Sequence, residues 1–140
     1  MTLSAHLLPI RVYYEDTDFS GVVYHASYLR FMERGRTELI RSLGVEQSAL
    51  FASEGSHQVP LAFAVRRMTI DWLKPALMDD LLTIETTPTL ARGASMEISQ
   101  RILRGEDVLL TAQVVVACVG GGKARRIPAA LRERLRLDGD

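Results

Sequence analysis

The order of helix-like and strand-like segments most restricts the fold of this 140-residue chain. Between Tyr28 and Leu43, apolar residues recur every three or four positions, and Gly44 follows. This pattern predicts one amphipathic helix of about 17 residues that stops at the glycine. From Val59 to Val119 the apolar period is two, with no further helix pattern. Strands joined by short turns run antiparallel. We therefore expect an α+β fold in which one long helix packs on an antiparallel sheet.

Five strands are predicted, one before the helix and four after it. They cover about Leu7 to Tyr14, Val59 to Trp72, Leu82 to Thr86, Met96 to Ile102 and Val108 to Val119. The alternation changes phase at Arg66-Arg67, where a β-bulge would keep both halves facing the core. The last strand is almost entirely apolar, which predicts that both of its faces are covered.

Two further details concern the helices. Gly35 falls in the middle of the long helix, where glycine costs ~1 kcal/mol relative to alanine. Close packing against the sheet would explain its presence. After the last strand, Pro128 is placed to open a short basic helix from Ala129 to Leu137.

Composition excludes several classes of protein. Lys+Arg and Asp+Glu both number 17, so the formal net charge is zero, which argues against a general nucleic-acid binder. The single cysteine, Cys118, permits no intrachain disulfide and fits a reducing compartment. There is no signal-like segment and no apolar stretch of the ~20 residues that a membrane span needs. We expect one cytoplasmic domain over residues 1–140.

Metal and cofactor chemistry is not predicted. The three histidines and the one cysteine are scattered, without the spacing of metal ligands. His6 and His57 are expected to be surface or loop residues. The Gly120-Gly121-Gly122 run is not a phosphate loop or a dinucleotide fingerprint and is expected to be a flexible turn. A Gly-x-Ser-x-Gly elbow is missing, which argues against a serine hydrolase.

The segment from Tyr13 to His25 concentrates the residues that could perform chemistry. A strand-like run ends in Glu15, Asp16 and Asp18, and a Phe-Ser-Gly turn leads into the long helix. Asp18 is either a turn or capping residue, or a carboxylate at the mouth of the helix that acts as base or nucleophile. Asp16 and Glu15 are its rivals, and strand alternation would send these two to opposite faces.

The start of the helix offers a second chemical group. The first N–H groups of a helix lack internal partners and carry the positive end of the dipole. Aimed at an acyl carbonyl, an N–H in the segment Val23 to Ala26 can act as an oxyanion hole. The ring of His25 is a further possible donor, although a lone histidine at this position is often structural.

The basic residues and the aromatic residues each have two alternative roles. Lys123, Arg125 and Arg126 form a cluster that is either a solvated charge run or, with Arg92 from another turn, a phosphate-binding group. The aromatic side chains either line a pocket or fill the core; they are Tyr24, Tyr28, Phe31 and Phe63.

Three segments together resemble one family. Residues 14–29, YEDTDFSGVVYHASYL, resemble the signature of hotdog-fold acyl-CoA thioesterases of the YbgC and 4-hydroxybenzoyl-CoA thioesterase type. Residues 65–76 are similar to the start of that family's sheet, and residues 122–128 to its C-terminal tail. Phe19-Ser20 departs from the Pro-Ala pair that is common between the aspartate and the glycine.

The resemblance implies a fold, a reaction and a set of site residues. The fold would be a hotdog: a long helix wrapped by a five-stranded antiparallel sheet, assembled as a homodimer or homotetramer. Asp18 matches the catalytic aspartate, and His25 matches the residue whose backbone N–H polarises the thioester carbonyl. The substrate would be an acyl-CoA, with an acyl-carrier protein as a possible partner. The expected substrate-binding residues are Tyr24, Arg92, Lys123, Arg125 and Arg126.

Two other functions remain open at this point. One is a non-catalytic hotdog module that binds acyl-CoA or acyl-carrier protein. The other is a hotdog dehydratase, which would need an aspartate–histidine pair placed differently along the helix. In each case the sheet leaves an open edge strand. We therefore predict a homodimer or a dimer of dimers with the site near the interface.

Overall fold

One long helix packs against an antiparallel sheet in the computed structural model, which describes residues 5–52 and 59–135. The strands are β1 (His6–Arg11), β2 (Ala62–Trp72), β3 (Leu81–Arg92), β4 (Ser95–Arg104), β5 (Asp107–Gly120) and β6 (Lys123–Ala124), and the helices are α1 (His25–Ser42), α2 (Gln47–Ala52) and α3 (Ala129–Leu135). The five long strands lie in the order β1-β3-β4-β5-β2, and β6 adds two residues beside β5. This is the hotdog arrangement that the resemblance implies.

Helix α1 follows its predicted pattern closely. Its buried face carries Tyr28, Phe31, Met32, Leu39 and Ile40. These side chains meet the inward residues of the sheet, and together they form one continuous hydrophobic core. The helix ends just before Gly44, whose φ of +84° is the left-handed conformation that glycine adopts without strain. The predicted C-terminal stop is confirmed.

Gly35 marks the closest approach of α1 to the sheet. A Cβ at this position would lie 2.7 Å from Thr86 Oγ1 and 2.8 Å from Ile84 Cγ2, both on β3. Those distances are shorter than van der Waals contact, so only glycine lets the helix sit at this depth. The prediction of close packing at Gly35 is confirmed.

Strand β2 contains the predicted bulge. Val65 pairs with Val116 and Arg67 pairs with Val115, so Arg66 is the extra residue on β2. The two halves of β2 therefore keep their apolar side chains on the same face, as the phase change in the sequence indicated. β2 is also an edge of the sheet, with only β5 beside it.

The prediction that both faces of β5 are covered was wrong for the single chain. Its side chains alternate: Val114, Val116 and Cys118 are buried, whereas Gln113 is exposed and Val115 is half-buried. One face of β5 therefore packs in the core and the other lies on the outer side of the sheet. The run is apolar because the outer side also carries β-branched residues. Such residues are favoured in strands even where no other element covers them.

Other differences are local. β1 ends at Arg11, and Tyr14–Asp16 form a 3₁₀ turn, so the strand alternation expected for Glu15 and Asp16 does not apply. Helix α2 was not predicted, because six residues give too little periodicity. The expected end of the last helix at Leu137 lies outside the described residues.

The expectations for the histidines have mixed outcomes. His6 belongs to strand β1 and is half-buried, so its assignment to a surface or loop was wrong. Its Nδ1 atom is buried without a hydrogen-bond partner in the described part of the chain. His57 lies outside the described residues. Within residues 5–52 and 59–135, no helix combines the length and the apolar character that a membrane crossing requires.

Replacing Gly35 with alanine tests the depth of the helix. Alanine would gain ~1 kcal/mol of helix propensity. However, its methyl group would press on buried Thr86 and Ile84, and overpacking costs about 1–3 kcal/mol or more. We expect Gly35→Ala to lower the free energy of unfolding in urea. Arg34→Ala, one residue earlier on the exposed side of the same helix, should change it by less than about 0.5 kcal/mol. A Gly35→Ala variant that is more stable than wild type by the full ~1 kcal/mol of helix propensity would contradict the close approach.

Candidate functional site

A short loop between the 3₁₀ turn and α1 holds Asp18. Its backbone N–H donates to Val22 O at 2.9 Å, and its carbonyl accepts from the Gly21 N–H at 3.1 Å. Gly21 has a φ of +85°, which closes the loop without strain. Bridges from Thr17 to Val23 and from Val22 to Leu77 tie the loop to its surroundings. The position of Asp18 is therefore set by backbone pairing on both sides.

The Asp18 carboxylate is anchored through one oxygen. Oδ1 accepts hydrogen bonds from the Ser20 backbone N–H at 2.8 Å and from the Ser20 hydroxyl at 2.6 Å. In the described part of the chain, Oδ2 accepts no hydrogen bond. The Ser20 hydroxyl is the main cause that lowers the pKa of Asp18, and the Ser20 backbone N–H adds to it. The Val22 backbone N–H lowers the pKa further, so the carboxylate is ionised at neutral pH, and both hydrogen bonds that it accepts from Ser20 are on Oδ1.

Asp16 has a different role, although it lies only two residues away. Its Oδ2 accepts from the backbone N–H of Tyr13 at 2.8 Å. Its backbone carbonyl accepts from the Tyr24 N–H at 2.9 Å, immediately before α1. Asp16 therefore fixes the turn and the start of the helix. These two hydrogen bonds give Asp16 a structural role in the turn.

His25 is the first residue of α1. The backbone N–H groups of His25 and Ala26 have no hydrogen-bond partner among the residues described, as expected for a helix start. The imidazole ring packs edge-on against Trp72, with 4.8 Å between ring centroids. The ring therefore serves packing, while the backbone N–H groups carry the positive end of the helix dipole.

A cleft of about 270 Å³ joins these groups. Its lining includes Asp18, Val23, His25, Tyr28, Trp72 and Lys74. The Tyr28 hydroxyl oxygen accepts from the Ala76 N–H at 2.8 Å, and its ring meets Trp72 edge-on at 5.4 Å. Burial raises the pKa of Tyr28, which stays a neutral wall residue. The cleft thus combines one carboxylate, one helix N-terminus and aromatic walls.

Tyr24 lies beside this cleft. It is the extended residue that precedes α1, and its side chain is 57% exposed. Its ring contacts the His25 ring edge-on at 6.4 Å. Phe31 is buried in the core and Phe63 is half-buried, whereas Tyr28 is buried and also lines the cleft, so that both alternatives apply to it. The aromatic residues therefore divide between the core and the surface.

The predicted basic residues gather at one end of the sheet. Lys123 pairs with Gly120 in the short β5–β6 hairpin. Arg125 donates from Nε to the Gly120 carbonyl at 3.0 Å. The Ile127 N–H donates to the Gly93 carbonyl at 2.9 Å, which places the segment with Arg125 and Arg126 next to the β3–β4 turn. Arg92 immediately precedes that turn. We call Arg92, Lys123, Arg125 and Arg126 the basic cluster.

The basic cluster and the cleft lie at opposite ends of β2 and β5. Trp72, at the cleft, pairs with Leu110, whereas Ala62 pairs with Val119 near the basic cluster. The nine residue steps from Leu110 to Val119 span about 30 Å at the usual rise of a strand. Within one chain, the structure brings Asp18 and His25 together but leaves the four cations far from them.

Sequence reasoning missed three residues of the site. Ser20 was treated only as a departure from the family pattern, although an aspartate two residues before a serine in a turn is a signal for such hydrogen bonds. Trp72 and Lys74 follow the pattern of β2 and its end, and nothing local indicates that Trp72 contacts His25 or that Lys74 lines the same cleft. Among residues 5–52 and 59–135, no group of three or more His, Cys, Asp or Glu residues is arranged to hold a metal ion.

Comparisons with known proteins converge on one family. The family model described as "Thioesterase superfamily" matches residues 20–111. The acyl-CoA thioester hydrolase YbgC of Escherichia coli O6:H1 is 50% identical over 112 residues, which cover 79% of each chain. The acyl-CoA thioesterase YbgC of Haemophilus influenzae is 45% identical over 119 residues, which cover 85% of this chain and 84% of that one.

A solved structure supports the same relationship. The probable thioesterase from Bartonella henselae superimposes with a TM-score of 0.83 and 46% sequence identity. The match covers 89% of this chain and all of that one. The arrangement of the long helix on the sheet is therefore shared with a relative of high sequence identity.

Replacing Ser20 with alanine tests how the Asp18 carboxylate is held. Hydrogen bonds that favour the ionised form lower a pKa, and the Ser20 hydroxyl is the largest contributor here. We expect Ser20→Ala to raise the pKa of Asp18 toward the ordinary aspartate value, measured by NMR titration of the labelled carboxyl carbon. Ser99→Ala, on the outer side of β4, should leave it unchanged. An Asp18 pKa that is equal in Ser20→Ala and wild type would contradict this anchoring.

Proposed function

This chain belongs to the thioesterase superfamily and is a thioester hydrolase, and we propose that it cleaves acyl-CoA to the free acid and CoA in the cleft that contains Asp18 and His25. One observation carries the proposal: an ionised carboxylate and the N-terminus of α1 line the same cleft, and within residues 5–52 and 59–135 neither Asp18 Oδ2 nor the first N–H groups of the helix form a hydrogen bond. The names of the YbgC relatives, which describe acyl-CoA thioester hydrolysis, support the choice of substrate.

The helix start would polarise the substrate. A thioester carbonyl gains negative charge on its oxygen when it is attacked, and preorganised N–H donors stabilise that charge. The backbone N–H of His25 is available for this, because no described residue accepts from it. The His25 ring is held against Trp72, so the proposal assigns the contribution of His25 to its backbone.

Asp18 would supply the base or the nucleophile through Oδ2. As a base, it takes a proton from water, the hydroxyl oxygen bonds to the carbonyl carbon, and the C–S bond breaks to release the CoA thiolate, which takes up a proton. As a nucleophile, Oδ2 itself displaces the thiolate, and water then hydrolyses the mixed anhydride. Both routes consume one water and give an acid and a thiol. The lowered pKa of Asp18 keeps the reactive form present at neutral pH.

Asparagine substitutions separate the two neighbouring aspartates. Asparagine keeps the size of aspartate but removes the basic and nucleophilic oxygen. We expect Asp18→Asn to lower kcat on an acyl-CoA by at least the ~10²–10⁴-fold that general-base catalysis contributes. Asp16→Asn retains an oxygen acceptor for the Tyr13 N–H and should cost far less.

Circular dichroism must confirm that both variants are folded. A kcat of Asp18→Asn close to that of wild type would show that another group is the base. A loss in Asp16→Asn as large as in Asp18→Asn would show that the two carboxylates do not have separate roles. Either result would overturn the proposed assignment.

We also propose that the site is completed by a second copy of the chain. β2 is an edge strand of 11 residues with exposed Val65 and Trp72. The other edge, β1, has six residues and includes Pro9, which cannot donate a ladder hydrogen bond. Two copies related by a two-fold axis would pair their β2 strands antiparallel, as a homodimer or within a homotetramer.

Such pairing has a consequence for the basic cluster. Antiparallel pairing about the middle of β2 places the Ala62 end of one copy beside the Trp72 end of the other. The basic cluster of one copy then lies near the cleft of its partner. We propose that Arg92, Lys123, Arg125 and Arg126 bind the phosphates of the CoA whose thioester is cleaved by the partner's Asp18, with exposed Tyr24 along the path.

Hybrid assemblies test this arrangement. Changing Arg125 and Arg126 together to alanine should raise KM for acyl-CoA by roughly 10- to 150-fold per lost charge-assisted hydrogen bond. KM for a truncated acyl-pantetheine thioester, which lacks the nucleotide, should barely change. Coexpression of this double variant with Asp18→Asn would produce hybrids in which one cleft has an intact aspartate and an intact cluster from the other chain.

We expect purified hybrids to regain hydrolysis at low acyl-CoA concentration, which neither parent variant shows. Hybrids without regained activity would place the cluster and the cleft of one chain in the same site. Monomeric mass by light scattering at micromolar concentration would contradict the assembly itself. Equal losses on acyl-CoA and acyl-pantetheine would show that these arginines do not recognise the nucleotide.

The proposed location is the cytoplasm. Cys118 is a free, buried thiol within β5, and burial raises its pKa. A protonated, enclosed thiol is compatible with a reducing compartment, which is also where CoA thioesters would be met as substrates.

A further inference from the structure

A second pocket, of about 170 Å³, lies between α1 and the inner face of the sheet. Its apolar walls are formed by Ile40, Phe63, Val65, Met96, Ile98 and Val116. Arg36 is the cation in this lining, with Glu33 one helical turn before it. The pocket shares no lining residue with the cleft that contains Asp18.

The guanidinium of Arg36 is held in place from behind. Arg36 is only 9% exposed, and its Nη1–H donates to Gln100 Oε1 at 2.9 Å. Gln100 in turn donates from Nε2 to Met32 O and to Thr86 Oγ1, both at 2.9 Å. Both N–H groups of the Gln100 amide are used in these two bonds. They fix the orientation of the amide, which directs its oxygen toward Arg36. Arg36 is therefore preorganised, and its remaining N–H groups donate to none of the described residues.

No carboxylate neutralises Arg36 in the described part of the chain. None of the ion pairs found there includes it. Burial lowers its pKa, and the nearby charge of Glu33 opposes that effect without forming an ion pair. Buried charges in proteins are normally paired, because an isolated buried ion is costly. The pocket thus presents a guanidinium that forms no ion pair with the described residues, with Glu33 at one side and apolar walls at the other.

We propose that this pocket is a binding site for a small organic carboxylate. The carboxylate would accept two parallel hydrogen bonds from the free side of the Arg36 guanidinium, and the apolar body would contact Phe63, Val65 and Ile98. At the ~30 Å³ that each water occupies in the liquid, the pocket holds about six non-hydrogen atoms. Butyrate has that size.

Two sources could deliver such a carboxylate. One is a free acid, the class of product that thioester hydrolysis releases. The other is the distal carboxylate of a dicarboxylyl thioester, reaching in from a second copy. The cleft of the same chain is excluded for short acyl groups, because the 11 residue steps along the helix from His25 to Arg36 span about 16 Å. Only the second source rests on the proposed function.

Binding of butyrate tests the site without any turnover. We expect saturable binding of butyrate by calorimetry, with butyramide, which lacks the charge, at least tenfold weaker. Arg36→Met should weaken butyrate binding by a similar factor. Arg34→Met, which removes an exposed arginine on the outer side of α1, should not. Equal affinity for butyrate and butyramide, or unchanged binding in Arg36→Met, would overturn the proposal.

A second variant keeps the test decisive if Arg36→Met does not fold. Val65→Phe fills the pocket from the exposed edge strand and leaves the Arg36–Gln100 bond intact. It should abolish butyrate binding in a folded protein, and retained binding would overturn the proposal.

Thioester kinetics distinguish the two sources. A higher KM of Arg36→Met for glutaryl-CoA, with butyryl-CoA unchanged, would identify the acyl group as the source. Loss of butyrate binding with unchanged kinetics on both thioesters would identify the free acid. If the chain hydrolyses no thioester, the butyrate titration still decides whether the pocket is a carboxylate site.

Discussion

The close contact of Gly35 with β3 determines how deeply the long helix lies in the sheet. Because Thr86 and Ile84 lie within 2.8 Å of where a Cβ would be, any larger residue would lift the middle of α1. The N-terminus of α1 would then move relative to the Asp18 loop, and the network around Gln100 would lose its geometry. The cleft that contains Asp18 and the pocket that contains Arg36 both depend on the helix staying at this depth, the first at its start and the second at its middle.

Much of the fold could be predicted because its signals are local. Gly35 and Gly44 lie within the periodic pattern of α1, and the phase change at Arg66 is visible within β2. The 3₁₀ turn could not be predicted, because the bond from the Tyr13 N–H to the Asp16 side chain competes with continuation of the strand. The burial of Arg36 could not be predicted from the pattern of α1, because it depends on a hydrogen bond to Gln100, which lies 64 residues away.

In the candidate site, too, the sequence predicts what is local and not what depends on distant strands. Asp18 and the helix start were predictable, since a short loop connects them and both contribute to one signature. The contact of Trp72 with His25 and the distance of the basic cluster from Asp18 depend on strand pairing across the whole sheet. The sequence places Asp18 and Arg125 in the same list of candidates, whereas β5 separates them by most of its length. Chemical type alone does not reveal such separation.

The unequal edges of the sheet have a consequence for solubility. A sheet with two equally open edges can add copies at both sides and grow into a fibre. Here one edge is the long β2, whereas the other is β1, with six residues, a proline and an arginine whose side chain turns back to the Asp79 carbonyl. Growth by strand addition therefore has a ready acceptor on one side only. When the β2 strands of two copies pair with each other, no long edge strand remains to accept a third copy. The edge that favours association therefore also limits it.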